Sequence, residues 1–251
     1  MEQKAPSDTC FRQKSIIRVK LTGDGTYIGP RQHIVTFGVT VLDEGSAAKA
    51  FAGNHTVCII RGPENYDSLS TSLKDVIEEI TEIHESGLEI DTTTYAIHFY
   101  LGADWKFLAM ACGIDAANST YACVWCTCSK DDRHKLSKEW SICDQSKGAR
   151  TVQFITDASK LPTRSKQKFN CSNVPLIVMV PMEWIVIDNL HLFLRVADNL
   201  INLLILDLRR FDGIEKCTQL ARLLISENMN CSYQQPVKSP FISMSARTRS
   251  F

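Results

Sequence analysis

Residues 95–104 read YAIHFYLGAD. Residues 95–101 have the composition of a strand, and Gly102-Ala103-Asp104 closes it. A helix starts around Trp105. Immediately upstream, Leu69, Leu73, Val76, Ile77, Ile80 and Ile83 recur at helical spacing between about Leu69 and Glu85. Asp and Glu take the other face, and Gly87 sits where a helix is usually stopped. A helix therefore feeds the strand at 95–101, and that strand is the return of a crossover connection.

Further upstream there are three more strands and no helix. Residues 16–21 (IIRVKL) alternate and are β-branched, and Gly23-Asp24-Gly25 is expected to end that strand. Residues 33–42 (HIVTFGVTVL) and 55–61 (HTVCIIR) give the second and third. Residues 43–54, rich in Gly, Ala and Asn, read as a loop, and Gly62-Pro63 stops the third strand. The order is strand, strand, strand, helix, strand, helix. Two hairpins followed by one right-handed crossover make a mixed sheet in which the fourth strand can lie parallel to the first. The fold class expected is α/β, with the βββαβα order of a ribonuclease-H-like sheet. Other α/β domains share that order, so order alone decides little.

Beyond Trp140 the chain changes character. Residues 144–173 are polar and hold Lys147, Arg150, Lys160, Arg164, Lys166 and Lys168 against Asp144 and Asp157. A short apolar strand is expected at 176–180. A helix follows from about Asp188, its N-cap, to Arg210; it is apolar on most sides and expected to be buried on more than one face. A further helix is expected at 214–227. The domain organisation expected is a disordered segment 1–15, a core 16–140 carrying a cysteine knuckle, an insertion 141–228 with a basic loop and helices, and an irregular tail 229–251.

Composition narrows the classes. Lysine plus arginine equals aspartate plus glutamate, 28 against 28, so a global positive field is no argument for nucleic-acid binding. Of ten cysteines, only those from Cys123 to Cys128 cluster tightly. That is not a secreted disulfide framework, and reduced thiols in cytosol or nucleus are expected. Met1–Ser15 lacks the apolar core of a secretory signal. The most apolar stretches, 174–187 and 200–208, are interrupted or flanked by Pro175, Pro181, Glu183, Asp188, Arg195, Asp198 and Asp207, so no membrane span is expected.

Two groups of residues carry chemistry. Asp24 and Asp104 follow the first and fourth strands. If those strands are neighbours, the carboxylates converge at one end of the sheet. Such a pair can hold Mg²⁺ or Mn²⁺ for in-line phosphoryl transfer. The flanking glycines would admit a DNA backbone. The plain alternative is two turn residues. The second group is Cys123-Val-Trp-Cys126, whose spacing is half of a tetrahedral zinc site. Cys128 and His134 are local candidates for the other ligands, and Cys143 and His191 distal ones. The alternative is a pair of reduced structural thiols.

Three blocks together resemble the catalytic core of the V(D)J recombination-activating protein and the related Transib transposases. They are IRVKLTGDG…IVTFGVTVLDEG, YAIHFYLGADWKF…GIDAANSTYACVWCTC and VPMEWIVIDNLHLFLRVADNLINLL, spanning roughly residues 16–210. Cys123 lies 19 residues after Asp104, close to the spacing in that family. The resemblance implies that Asp24 and Asp104 are metal-binding catalytic carboxylates. It implies zinc on Cys123 and Cys126, Mg²⁺-dependent cleavage and strand transfer of double-stranded DNA, a homodimer or partner recombinase subunit, and a nuclear location.

The departures are also informative. The family's third catalytic residue, a glutamate, and the two histidines of its zinc site lie downstream of the region matched, beyond this sequence. Little nicking by this chain alone is therefore expected, unless a local acid such as Glu183 or Asp188 replaces the glutamate. The rival readings are a non-catalytic zinc-binding or interaction module derived from a transposon, and an unrelated α/β domain. The basic stretch 147–168 is a candidate DNA path or a solvated loop, and Arg164–Lys168 a weak nuclear-targeting candidate. Asp188 and His191 are by default a helix cap and a core histidine. Trp105, Trp125 and Trp184 are expected in the core.

Overall fold

The computed structural model describes residues 16–29, 32–211, 219, 231–232 and 243–244. The expected segment 1–15, the helix at 214–227 and most of the tail lie outside them. Strand β1 (Ile16–Ile28) pairs antiparallel with β2 (Gln32–Val41), which pairs antiparallel with β3 (His55–Arg61). Three short 3₁₀ turns fill residues 42–53 between β2 and β3. The first strand does not end at Gly23-Asp24-Gly25. It continues to Ile28, with Asp24 opposite Thr36. The glycines are tolerated because the ladder to β2 supplies the backbone bonds that a turn would otherwise need.

The expected helix at 69–85 is two helices. Asn65 caps α1 (Tyr66–Ser72), its Oδ1 accepting from the Ser68 amide at 2.9 Å. At Leu73 the backbone turns to ψ near 0, and α2 (Lys74–Ser86) follows, stopped by Gly87 at φ +83°. A short strand, β4 (Leu88–Ile90), makes a hairpin with β5 (Thr93–Ala103). β5 then runs parallel to β1, from Ile16 beside Ala96 to Leu21 beside Leu101. Its last residues pair on with β6 (Ile185–Ile187), also parallel. The result is a mixed α/β unit whose strands run β3-β2-β1-β5, with β4 on the start of β5 and β6 on its end.

One face of this sheet makes the core. Leu21, Val35, Phe37 and Leu101 project from it, and Leu69, Leu73, Ile80, Phe107 and Leu108 meet them from α1, α2 and α3 (Trp105–Ala111); all are buried. Trp105, Trp125 and Trp184 pack against this core, as expected.

Residues 113–184 leave the sheet after α3 and return before β6. They leave and come back at one place, where Ile114 bridges Cys171 and the Leu176 amide donates to Ala111. Residues 176–180 are turns, not a strand. Pro175 and Pro181 bracket them without amide donors, and the Leu176 amide is engaged off the sheet. Within the excursion lies α4 (Val152–Ser159), unanticipated in a polar stretch and capped by Thr151, whose Oγ1 accepts from the Phe154 amide.

Arg150, read as one of a run of basic surface residues, is 1 % exposed. Its Nε donates to the Cys126 carbonyl at 3.1 Å. Its Nη2 donates to the carbonyls of Tyr121 and Phe169 at 3.0 and 2.9 Å, and Nη1 to the Cys171 sulfur at 2.8 Å. One guanidinium thus ties together three segments of the excursion that have no regular structure of their own. Fixed fork geometry makes arginine suited to this, and lysine cannot copy it.

The chain divides into two compact units, the second beginning at Asp188. Its main element is α5 (Asn189–Phe211). Asp188 accepts from the Leu190 amide at 2.9 Å and pairs with His191 Nδ1 at 2.8 Å, so the cap is present. His191 is exposed, however, and is not a core histidine. Nor is the helix buried on several faces. Phe193 is 70 % exposed and Leu200 61 %, and Ile205 is the buried residue among those described. Residues 189–207 are also long and apolar enough, by length and composition, to cross a membrane, contrary to the expectation drawn from their charges.

Arg150→Met strands three buried carbonyls without donors. Each costs about 1 kcal/mol or more, so urea denaturation of the full chain should show a loss of about 3 kcal/mol or more, with Arg150→Lys recovering little of it.

Candidate functional site

The glycines beside Asp24 are occupied positions. A Cβ built on Gly23 would lie 2.1 Å from the ring of Phe107, and one on Gly25 would lie 2.3 Å from the carboxylate of Glu64. The expectation that these glycines admit a DNA backbone is therefore corrected. They admit α3 on one side of Asp24 and the residues before α1 on the other. Phe107 is fully buried and stacks near Phe37, with ring centroids 6.4 Å apart.

That contact places Asp104. Asp104 caps α3, its Oδ1 accepting from the Phe107 amide at 2.7 Å. The last β1–β5 partners are Leu21 and Leu101, and Asp24 and Asp104 each stand three residues further on. Both aspartates act electrostatically on Glu64, which sequence reading did not single out. Glu64 has a side chain only 8 % exposed. Its Oε2 pairs with Lys106, while Oε1 is buried and has no hydrogen-bond partner among the described residues. Burial raises its pKa above the usual carboxylate range, the Lys106 hydrogen bond and charge oppose this, and the negative charges of Asp104 and Asp24 add to the rise. Glu64 follows Gly62-Pro63, where the only local signal is a turn, so sequence offered no sign of its burial.

The knuckle is formed locally. The amide of Thr127 donates to Gly148, and Cys126 bridges Ala149. Trp125 Nε1 donates to the Ile185 carbonyl at 3.1 Å, joining the knuckle to β6. Trp125 also meets Trp105 edge-on, with centroids 5.6 Å apart. The Cys123 and Cys126 sulfurs are 3.4 Å apart. Cys126 donates to Cys123, which lowers the Cys123 thiol to about 6 and holds Cys126 up. Burial raises Cys128. These three thiols, with Trp105, Trp140 and Arg133, line a cavity of about 510 Å³. His134 and Cys143 are exposed. Among the described residues, no three His, Cys, Asp or Glu side chains converge as a formed metal site requires. The knuckle therefore stands as a dithiol, and Asp24 and Asp104 as charges that act on Glu64.

No protein-family profile matches the chain, and no curated protein is detectably similar to it.

Two outcomes test this geometry. Gly23→Ala forces the Phe107 ring off β1 and should cost about 1–3 kcal/mol in chemical denaturation, as overpacking does. In chelator-treated protein, alkylation of Cys123 should rise through a midpoint near pH 6, because only the thiolate reacts. Cys126→Ala removes the donor and should shift that midpoint upward.

Proposed function

We propose that this chain is the core of a metal-dependent DNA strand-cleaving and strand-transferring protein of the transposase and recombinase type, built on a ribonuclease-H-like sheet. The observation that carries the proposal is the set of carboxylates just past the end of the β1–β5 ladder. Asp24 and Asp104 stand at equal distance past the last partners of two adjacent parallel strands, and the buried, unpartnered Oε1 of Glu64 lies within their influence. The strand sequence β3-β2-β1-β5-β6 is consistent with such a sheet. So are the three sequence blocks that resemble the V(D)J recombination-activating protein and Transib transposases.

The donor set is all oxygen, which suits Mg²⁺ or Mn²⁺. Such ions polarise the scissile phosphate and stabilise the attacking and leaving oxygens. This chain's contribution is positional. Phe107 in the groove over Gly23 fixes where Asp104 stands beside β1, and Gly25 lets the Glu64 carboxylate lie against the backbone. Lys106, which now neutralises Glu64, is the charge that a divalent cation competes with. The Cys123–Cys126 dithiol is half of a zinc site in this reading and secures the excursion rather than the chemistry.

One observation favours a second reading, a non-catalytic interaction module. Asp104 is already engaged as a helix cap and Glu64 as an ion-pair partner. Mn²⁺ titration by electron paramagnetic resonance separates the two. Asp104→Asn keeps a competent cap but removes the charge. The catalytic reading expects saturable Mn²⁺ binding, weakened about tenfold or more by Asp24→Asn, Asp104→Asn or Glu64→Gln, which is about 1.4 kcal/mol each. Binding that ignores all three substitutions leaves the interaction module.

A further inference from the structure

A second cavity, of about 400 Å³, lies within the excursion, between residues 115–121 and 163–172. Its size is that of a small-molecule site, too small for a duplex and large enough for one nucleotide. The mouth carries Arg164 and Lys166. Both are exposed, and among the described residues neither has a carboxylate partner. Lys168 adds a third positive charge while its Nζ donates to the carbonyls of Ser159 and Leu161 at 3.0 Å. The one acid in the lining, Asp115, is already engaged on both oxygens. Oδ2 accepts from Asn170 Nδ2 at 2.7 Å and Oδ1 from Ser172 Oγ at 2.5 Å.

The wall is aromatic and rigid. Tyr121 and Phe169 meet edge to face at 5.1 Å, both half-buried. Their carbonyls are the ones that Arg150 Nη2 holds. Asn170 Oδ1 accepts from the Tyr121 amide at 3.0 Å. Phe169 and Asn170 both adopt left-handed backbone conformations, at φ 47° and 59°. Two consecutive non-glycine residues in that region are costly and persist only where the surroundings enforce them, as at ligand sites. Net positive charge at the mouth, an aromatic wall and hydroxyls from Thr163 and Tyr121 suit a phosphate joined to a flat ring.

We infer that this cavity binds a nucleotide, its phosphate on Arg164 and Lys166 and its base against Tyr121 and Phe169. The inference stands on this lining alone and does not depend on the carboxylate group holding a metal.

The test uses the full chain and three probes: thymidine 5′-monophosphate, thymidine, and a labelled single-stranded oligothymidylate. Saturable binding of the monophosphate but not of thymidine is expected, weakened about tenfold by Arg164→Gln with Lys166→Gln. Those residues are exposed, so the variant should keep the wild-type melting temperature. Lys49→Gln with Lys74→Gln, outside the cavity, should leave binding unchanged, as should Asp24→Asn. If only the oligothymidylate binds, and the Arg164/Lys166 variant loses it with a fall in salt slope of about 1.4 for two lost contacts, the ligand is a nucleotide within a strand. Equal binding by wild type and the Arg164/Lys166 variant, or no binding of either phosphorylated probe, overturns the inference.

Discussion

The ring of Phe107 lies where a side chain on Gly23 would be, and much of the first unit depends on that contact. It sets the distance of α3 from the sheet. Because Asp104 is the cap of α3, it also sets where one carboxylate stands relative to β1. Packing at organic-crystal density leaves no slack for an extra methyl group there. The same strand repeats the device two residues on, where Gly25 accepts the Glu64 carboxylate. A Gly-Asp-Gly triplet therefore serves as a seat for two side chains from elsewhere in the chain, with the aspartate between them.

The excursion after α3 is organised on different physics. It has one short α-helix, α4, and it buries a charged group among apolar residues such as Val124 and Ile155. Among the described residues no carboxylate pairs with the buried Arg150, which is costly unless every donor is matched. Carbonyls and a sulfur do the matching. The guanidinium serves as the node that the knuckle, the Tyr121 segment and the Phe169 segment share. The knuckle's two thiols add a short contact of their own, so hydrogen bonds supplement the apolar burial of Val124, Ile155 and Ile177 in this part of the chain.

Strand and helix existence was legible where periodicity is local. The strands at 55–61 and 95–101 and the helix from Trp105 stand close to where their patterns placed them. What failed depended on distant partners. Nothing near Gly23 announces a phenylalanine more than eighty residues away, so the triplet read as a turn. Glu64 was passed over after Gly62-Pro63 because its burial comes from Gly25 and Lys106, which are distant in sequence. Arg150 looked like a surface charge in a basic run, since composition cannot reveal that backbone carbonyls will surround it. The helix from Asn189 was expected to be covered because it is apolar, yet apolarity states a need for cover and does not supply it. Strand order placed Asp24 and Asp104 just past the ladder of two neighbouring strands, whereas the burial of Glu64 beside them was invisible.

The bridge between Ile114 and Cys171 has a consequence for how this chain can change. Everything between those residues departs and returns through one doorway beside α3. The sheet meets the excursion at these two adjacent ends and at Trp125, whose indole donates to the Ile185 carbonyl. Lengthening a loop whose ends stay fastened costs little, growing only with the logarithm of its length. The buried arginine and the second cavity thus sit on a cartridge whose outer loops can be lengthened without disturbing the register of β1, β5 and β6, while the knuckle stays tied to β6.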